Sequence, residues 1–387
     1  MHTSEIKFLQ SDEGQKLLKL AQSYTNINAR LQALRKITNA DSSALVSLQT
    51  ELRFKAKVKF GHYSNMLFDR EGLEQSTSET VARYISSRYK SFNVVGDLTC
   101  GIGGDAIYLS EVANLIVMDK FLHKVMMCAH NLRIYNRKHT AIAADCTSWF
   151  PKADAYFIDP SRRHSGQRWF HLEDYQPGID TMKKLLNATN FLGIKVSPGL
   201  NYQNLKIPCE IEVISLNGEC KEIMLWCGDF ATTKRRATLL PENISIEYSD
   251  TQDASVRPLG EFIYEVQKAA LRAGLVQVIA HNHNLHLLDK RLSYLTGDIL
   301  VKSPWLQPYK VKSIMKFSEK KVKSYIRKEK LDNIMVKCRG FSGESVGWQK
   351  RLQIKKSKRV SPLTTIFLTR INQQPYTIFT EKIYATV

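Results

Sequence analysis

The sequence lacks the features that mark membrane proteins and disulfide-bonded proteins. No apolar run approaches the ~20 residues that a membrane-spanning helix needs, and residues 1–8 show no basic region followed by a long apolar one. The seven cysteines are scattered, and none forms a Cys-x-x-Cys pair, which argues against a zinc site and a disulfide framework. We therefore expect a cytoplasmic protein without a secretion signal, a membrane segment or a bound metal.

Acidic residues are scarce in the last quarter of the chain, and this scarcity shows where the basic charge lies. The 387 residues carry a net charge of +19. Residues 290–387 contain 22 lysines and arginines but 6 acids, an excess of 16. A segment this basic favours a polyanionic partner, and nucleic acid is the commonest soluble one; a solvated basic surface without a partner is the alternative.

A helical region precedes a region in which strands and helices alternate. Up to residue 90, apolar residues recur at spacings of three and four, as at Leu31 and Leu34, which predicts helices. Beyond it, helical segments separate five short apolar segments that we interpret as strands: 93–98, 114–118, 140–144, 155–158 and 191–196. This alternation predicts a parallel sheet that is covered by helices on both faces.

The alternating region ends in an antiparallel hairpin, and a different pattern follows it. Asn217-Gly218 joins the apolar segments 210–216 and 221–227, and Asn-Gly between two strands is the strongest short signal for a hairpin. Further on, residues 262–273 predict a helix that Gly274 closes. We expect four parts: an N-terminal helical region (1–90), an α/β core (91–230), a connecting helical region (231–289) and a basic α+β domain (290–387).

A glycine-rich turn follows the first predicted strand. The segment Asp97-Leu-Thr-Cys-Gly101-Ile-Gly103-Gly-Asp leaves a strand and opens a helix, and its glycines let the backbone turn tightly and approach a ligand. The dinucleotide fingerprint Gly-x-Gly-x-x-Gly is not met, because Ala106 stands where its last glycine belongs. The turn therefore predicts a cofactor site of another kind.

Two further acids end the next two strands. Asp119 lies 22 residues after Asp97, at a strand end where an acid is placed to bind ribose hydroxyls. Asp145 follows the third strand, where it is placed to accept a hydrogen bond from an adenine amino group. Each of the acids alone could be a loop residue or a helix cap. Three of them at the carboxyl edge of one sheet, where ligands bind, predict a single cofactor site.

The fourth strand ends in Asp-Pro-Ser-Arg-Arg, residues 159–163. We interpret Asp159 and the backbone carbonyl of Pro160 as catalytic groups that accept hydrogen bonds from a target amino group and thereby orient its nitrogen lone pair. Arg162 and Arg163 either bind a phosphate of the substrate or pair with acids of the chain such as Asp105. No cysteine lies near the fifth strand, so we expect direct transfer rather than a covalent intermediate.

These motifs resemble a bacterial family of class I S-adenosylmethionine (SAM) dependent methyltransferases. The core is similar to the trimethylguanosine synthase group, in which a Thr-Pro-Glu stretch precedes Asp-x-Phe-Cys-Gly-x-Gly-Gly; here Thr77-Ser-Glu79 and residues 97–104 match it. That group has Ser-Pro-Pro-Trp where this chain has Asp-Pro-Ser-Arg, so cap-guanosine specificity is not implied. The resemblance implies SAM as cofactor, with Asp97 at its methionine amino group and the following cofactor-binding residues: Thr77, Asp97, Gly101, Gly103, Asp119, Lys120 and Asp145.

The resemblance continues beyond the core into a C-terminal THUMP-like domain. Four motifs look like that family: Tyr264-Glu265, Arg272-Ala-Gly-Leu275, Tyr294-Leu-Thr296 and Lys337-Cys-Arg-Gly340. THUMP domains accompany RNA-modifying enzymes, so the resemblance implies a structured RNA substrate, tRNA or rRNA. The implied fold class is α/β: a Rossmann-like methyltransferase sheet with an N-terminal helical region and a C-terminal basic α+β THUMP-like domain.

Two other functions stay open at this point. The chain could methylate a small molecule or a protein, although the basic C-terminal segment disfavours this interpretation. It could also bind RNA without transferring a methyl group, because Thr99 stands where the usual methyltransferase turn has its first glycine. Against these two we favour direct in-line methyl transfer to a base nitrogen of RNA.

Overall fold

The computed structural model describes residues 1–161, 171–202, 205–250, 253–354 and 364–384, together with the backbone of two short strands between residues 163 and 168. The chain forms two compact units. The first comprises Met1–Asn217, Lys221–Lys234 and Leu239–Asn243, and the second comprises Gly218–Cys220, Arg235–Thr238 and Ile244–Val387.

Helices occupy the N-terminal region, as the apolar spacing predicts. Ser11 and Asn39 precede two of them and accept hydrogen bonds from the backbone amides of Gly14 (3.2 Å) and Ser42 (2.8 Å), which satisfies amides that have no partner within the helix. Within residues 1–90, all of which are described, the α-helices are α1 (Thr3–Gln10), α2 (Asp12–Gln22), α3 (Ile27–Arg35), α4 (Ala40–Ala56), α5 (Arg70–Gln75) and α6 (Glu79–Ser86).

The central sheet contains the five strands that the apolar segments predict, in parallel. Its strands are β1 (Val94–Asp97), β2 (Asn114–Asp119), β3 (His139–Ala143), β4 (Ala155–Ile158), β7 (Phe191–Val196), β8 (Cys209–Leu216), β9 (Glu219–Gly228), β10 (Arg235–Leu240) and β11 (Ile244–Glu247); a separate ribbon pairs β5 (Arg163–His164) with β6 (Gln167–Arg168). The order is β11-β10-β8-β9-β7-β4-β1-β2-β3, and α7 (Ala106–Leu109), α8 (Leu122–Ile134) and α9 (Ile179–Thr189) connect its parallel strands. Asp97 pairs with Val117 of β2 and Phe157 of β4, so these three strands end together.

The predicted hairpin is present at residues 217 and 218. Asn217 (φ 52°) and Gly218 (φ 78°) both adopt left-handed conformations, as a type I′ turn requires. The strand after this turn, β9, runs antiparallel to β7, with Ile194 opposite Leu225. The sheet therefore changes from parallel to antiparallel between β7 and β9.

A second sheet forms most of the second unit. Its strands are β12 (Phe262–Val266), β13 (His286–Asp289), β14 (Leu292–Gly297), β15 (Leu306–Lys316), β16 (Ile334–Cys338), β17 (Thr364–Ile371) and β18 (Gln374–Lys382), in the order β13-β14-β12-β15-β18-β17-β16. Its helices are α10 (Lys268–Ala273), α11 (Val276–Asn282), α12 (Glu319–Lys328) and α13 (Ser345–Arg351). Val322 of α12 and Trp348 of α13 pack with Ile366 and Phe379 of the sheet, which gives this unit a core of its own.

The predicted helix over 262–273 is wrong in its first half. Residues 262–266 form β12, in which Ile263 pairs with Thr296 on one side and Tyr309 on the other, and only Lys268–Ala273 is helical. A short apolar run does not distinguish a strand from a buried helix, so the long-range pairing decides. Residues 231–289, predicted to be a connecting helical region, therefore hold the four strands β10 to β13 besides two short helices among their described residues.

No helix in the described part of the chain is both long and apolar enough to span a membrane.

Candidate cofactor and methyl-transfer site

A cavity of about 1350 Å³ lies at the carboxyl edge of the parallel strands. It brings together most of the acids that the sequence singles out, because the strands that carry them end side by side. Seven predicted site residues line it: Asp97, Gly101, Asp119, Lys120, Asp145, Asp159 and Pro160. The positions of these residues support one continuous site for a cofactor and a substrate group.

The glycine-rich turn uses its two glycines differently. Gly101 (φ +53°) lines the cavity, and no atom lies within 4 Å of the place where a Cβ would project. Gly103 (φ +91°) does not line the cavity; a Cβ there would lie 3.1 Å from the sulfur of Cys128. Gly101 therefore keeps the cavity open, whereas Gly103 permits close packing of the turn behind it.

Asp97 and Asp119 hold the turn in place through their carboxylates. Asp97 is buried and accepts a hydrogen bond from the backbone amide of Thr99 (3.2 Å). Asp119 accepts from the amides of Gly101 (3.2 Å) and Phe121 (2.9 Å). Burial raises the pKa of both carboxyl groups; for Asp97 the neighbouring carboxylate of Asp105 raises it further. The floor of the cavity thus favours a ligand that supplies positive charge or hydrogen-bond donors.

Asp145 has a more open environment at the end of β3. Its side chain is exposed and accepts a hydrogen bond from the backbone amide of Thr147 (2.8 Å). Hydrogen bonds from Thr147 lower the pKa of Asp145, so its carboxyl group is ionised at neutral pH. It lines the same cavity as Asp119, from the next strand of the sheet.

Lys195 is a central residue of the site that the sequence analysis missed. It lies on β7, and its ammonium contacts Asp105 Oδ2 (2.6 Å), Asp159 Oδ2 (2.7 Å) and Thr77 Oγ1 (2.7 Å), with only 4% of the side chain exposed. Thr77 in turn donates to Asp105 Oδ2 (3.0 Å). A lysine inside an otherwise apolar strand was the available signal, because buried lysines need acidic partners.

Lys195 stays charged despite its burial. Burial alone lowers the pKa of a lysine, but the carboxylates of Asp105 and Asp159 outweigh this effect and raise the pKa of Lys195 well above 10.5. The carboxylate of Asp159, which is 37% exposed, is thus fixed by a permanent positive charge.

Thr99 explains why the turn departs from the usual methyltransferase motif. Its hydroxyl accepts a hydrogen bond from the backbone amide of Asp159 at 2.6 Å. A glycine at this position could not make that contact, which connects the cofactor turn to the end of β4. The missing first glycine is therefore replaced by a side chain that positions the neighbouring strand end.

The remaining predicted site residues lie in three different situations. Thr77 is buried and lies outside the cavity lining, where it supports Asp105 and Lys195. The ammonium of Lys120 lies 5.0 Å from the ring centre of Phe121 at the cavity. Arg162 and the side chain of Arg163 lie outside the described residues. Among the described residues there is no group of three or more histidines, cysteines or acids that could hold a metal.

Known proteins resemble both units. A model of the THUMP domain-like family matches residues 306–382. Two S-adenosylmethionine-dependent methyltransferases of Mycobacterium tuberculosis, described as uncharacterized and coming from strains CDC 1551 and H37Rv, are each 31% identical over 334 residues, covering 83% of this chain and 91% of each relative. A crystal structure of a proposed methyltransferase from Porphyromonas gingivalis W83 has a TM-score of 0.82 at 19% identity, covering 97% of this chain and 100% of that one.

These likenesses confirm the fold class and the cofactor that the sequence predicts. The structural likeness, at its low identity, bears on the fold alone. The sequence identity extends over most of this chain and of its relatives, and it therefore shows the family as well as the fold. The chain belongs to the S-adenosylmethionine-dependent methyltransferases, with SAM as its cofactor and a THUMP-like domain over residues 306–382.

Proposed function

We propose that this methyltransferase acts in the cytoplasm on a base nitrogen of structured RNA, a tRNA or an rRNA, by direct in-line transfer. The observation that carries the proposal is the joining of a THUMP-like domain, within a segment that has an excess of 16 basic residues, to a SAM-dependent core. Basic domains bind nucleic acid through phosphate contacts, whereas an enzyme that acts on a small molecule does not need such a domain to bind its substrate.

The residues of the cavity fit SAM. Gly101 leaves open space where a side chain would project. Asp119 ends β2 and Asp145 follows the adjacent β3, at the edge where ribose and adenine groups bind in such sheets. Asp97 offers a buried carboxylate for the methionine amino group. We assign these four residues and Lys120 to the cofactor; when bound, SAM supplies an electrophilic methyl group on its sulfonium.

Asp159 and Pro160 are the proposed catalytic groups. Asp159 Oδ2 is held by Lys195, and its partly exposed carboxylate lines the cavity next to Pro160. A fixed carboxylate accepts a hydrogen bond from an amino group and turns the nitrogen lone pair towards the cofactor. Because the transfer is a displacement between two bound partners, this positioning provides most of the acceleration.

The proposed RNA-binding surface includes the exposed cations of α12, which we call the basic face of α12: Lys320, Lys321, Arg327 and Lys328. They lie on the outside of a helix whose Val322 is fully buried against the second sheet, so the charges point away from the core. Arg162 and Arg163, which follow Asp159 by three and four positions in the sequence, are further candidates for binding an RNA phosphate.

The test compares nucleosides from the total RNA of a strain that lacks the gene and of its parent, by mass spectrometry. We expect one N-methylated nucleoside to disappear from the deletion strain and to return when the gene is restored. Restoring the gene with Asp159→Ala serves as the matched control and should not return it. Identical nucleoside profiles in the deletion strain and the parent would contradict an RNA substrate.

A further inference from the structure

Asp105 is an acid of the cavity to which the sequence analysis assigned no role in binding. It directly follows the glycine-rich turn, lines the cavity and is 9% exposed. Its two carboxylate oxygens differ sharply. Oδ2 accepts hydrogen bonds from the ammonium of Lys195 (2.6 Å) and from the hydroxyl of Thr77 (3.0 Å). Oδ1 is buried and has no hydrogen-bond partner among the described residues.

A buried carboxylate oxygen without a hydrogen-bond partner is rare in folded proteins, because burial removes its hydrogen bonds to water and no protein group replaces them. The carboxylate cannot simply rotate, since Lys195 and Thr77 fix the other oxygen. Such an oxygen in a ligand cavity points to a ligand that donates a hydrogen bond. The structure thus leaves one acceptor of Asp105 available at the floor of the site.

The charges around Asp105 indicate the kind of donor. Asp97 and Asp105 supply two buried carboxylates to the lining of the cavity, and the ammonium of Lys195 contacts that of Asp105. Burial and, after it, the nearby carboxylate of Asp105 raise the pKa of Asp97, so both acids are stabilised in their charged form by a ligand that brings positive charge. A positively charged donor therefore suits Asp105 Oδ1 better than a neutral one.

We propose that Asp105 is a cofactor-binding residue whose Oδ1 accepts a hydrogen bond from the α-ammonium group of the methionine part of SAM. The inference rests on the SAM dependence of the family and not on the RNA substrate. The amino group of a nucleobase is neutral, whereas the α-ammonium is charged, and charge-assisted hydrogen bonds are the ones that compensate a buried carboxylate. Asp97 and Asp105 then share this group, while Lys195 and Thr77 orient Asp105.

The test measures the binding of two ligands to full-length wild-type and Asp105→Asn protein by calorimetry. S-adenosylhomocysteine carries the amino acid part, and 5′-methylthioadenosine lacks it. We expect Asp105→Asn to weaken S-adenosylhomocysteine about 10- to 100-fold, as for the loss of a charged hydrogen bond, and to leave 5′-methylthioadenosine within about twofold. Asp145→Asn, the same change at an acid of the same cavity, should weaken both ligands equally.

Two results would overturn the assignment. Equal weakening of both ligands by Asp105→Asn would mean that Asp105 only shapes the cavity, and no weakening of either would mean that a water molecule satisfies Oδ1. If the single variant does not fold by circular dichroism, the double variant Asp105→Asn, Lys195→Met removes both partners of the Asp105–Lys195 pair, and the side chain of Asp159, which is 37% exposed, keeps its access to solvent. The same ligand-selective loss is expected for the double variant. Wild-type protein that binds neither ligand would instead contradict the cofactor assignment.

Discussion

Replacing Lys195 with methionine removes the ammonium that joins Asp105 and Asp159 but keeps a side chain of similar length. The ammonium makes three contacts of 2.6, 2.7 and 2.7 Å from a side chain that is 4% exposed. Removing one partner of a buried ion pair costs about 3–5 kcal/mol, because the remaining charge is uncompensated. Asp159 is 37% exposed and is partly solvated by water, so we expect the lower value, about 3 kcal/mol less stability.

The ammonium of Lys195 should stay charged throughout the neutral pH range. The pKa of Lys195 in the folded chain is raised well above 10.5. A group with a raised folded pKa contributes stability that is complete below its unfolded pKa and is lost as the pH rises through the folded pKa. The stability that the ammonium of Lys195 contributes should therefore be complete below about pH 10 and lost at higher pH. Because Lys195 lowers the pKa of Asp97, its removal raises that pKa, and the difference between wild type and Lys195→Met should also shrink as the pH falls and the acids of the site become protonated.

The assay is urea denaturation in which unfolding is monitored by the hydrogen exchange of peptides from β1, β4 and β7. This readout reports on the central sheet alone. Lys55→Met is the matched control, because it removes a lysine whose side chain is 63% exposed from a surface ion pair with Glu51. Such a pair contributes about 0.2–0.5 kcal/mol. A loss for Lys195→Met within about 1 kcal/mol of this control would refute the inference that the buried ammonium holds the site together.

Three further predictions concern the turn, the reacting group and the RNA surface. Gly103→Ala should lower the unfolding free energy by more than about 1 kcal/mol, because Gly103 has a φ of +91° and the added methyl group would lie close to the sulfur of Cys128. Gly101→Ala should lower the unfolding free energy less, because the added methyl group would face open space. Equal losses of the two variants in urea denaturation would contradict this prediction. Asp159→Ala should slow single-turnover methyl transfer about 10²- to 10³-fold while S-adenosylhomocysteine affinity stays within about twofold, and full activity would remove Asp159 from the mechanism. Changing the basic face of α12 to glutamine should reduce the slope of log affinity for RNA against log salt by up to about 3; an unchanged slope would mean that this face does not contact RNA.

The sequence could predict the strand ends because their signals are local. Asp97 and Asp119 each follow a short apolar segment, and parallel strands bring such positions to one edge without any knowledge of the packing. The hairpin at Asn217 and Gly218 was equally local, since the turn conformation depends on those two residues themselves.

The contacts of Lys195 could not be predicted in the same way. Its partner Asp105 lies 90 residues away and Thr77 lies 118 residues away, so only the folded sheet brings them together. The environment of Thr77 also depends on long-range contacts. The family motif implied that Thr77 binds the cofactor, whereas in the structure it lies outside the cavity lining and donates a hydrogen bond to Asp105. Strand β12 was mistaken for helix because its pairing with β14 and β15 is also long-range.

RNA methylation by this protein is tested most directly by single-turnover transfer from methyl-labelled SAM to RNA isolated from a strain that lacks the protein. We expect the label to enter that RNA at a base nitrogen of one nucleoside. RNA from the parent strain, in which the site is already methylated, should take up little label. An RNA substrate would be contradicted if the protein bound SAM and transferred no label to the unmethylated RNA, while it labelled a small molecule or a protein in the same extract.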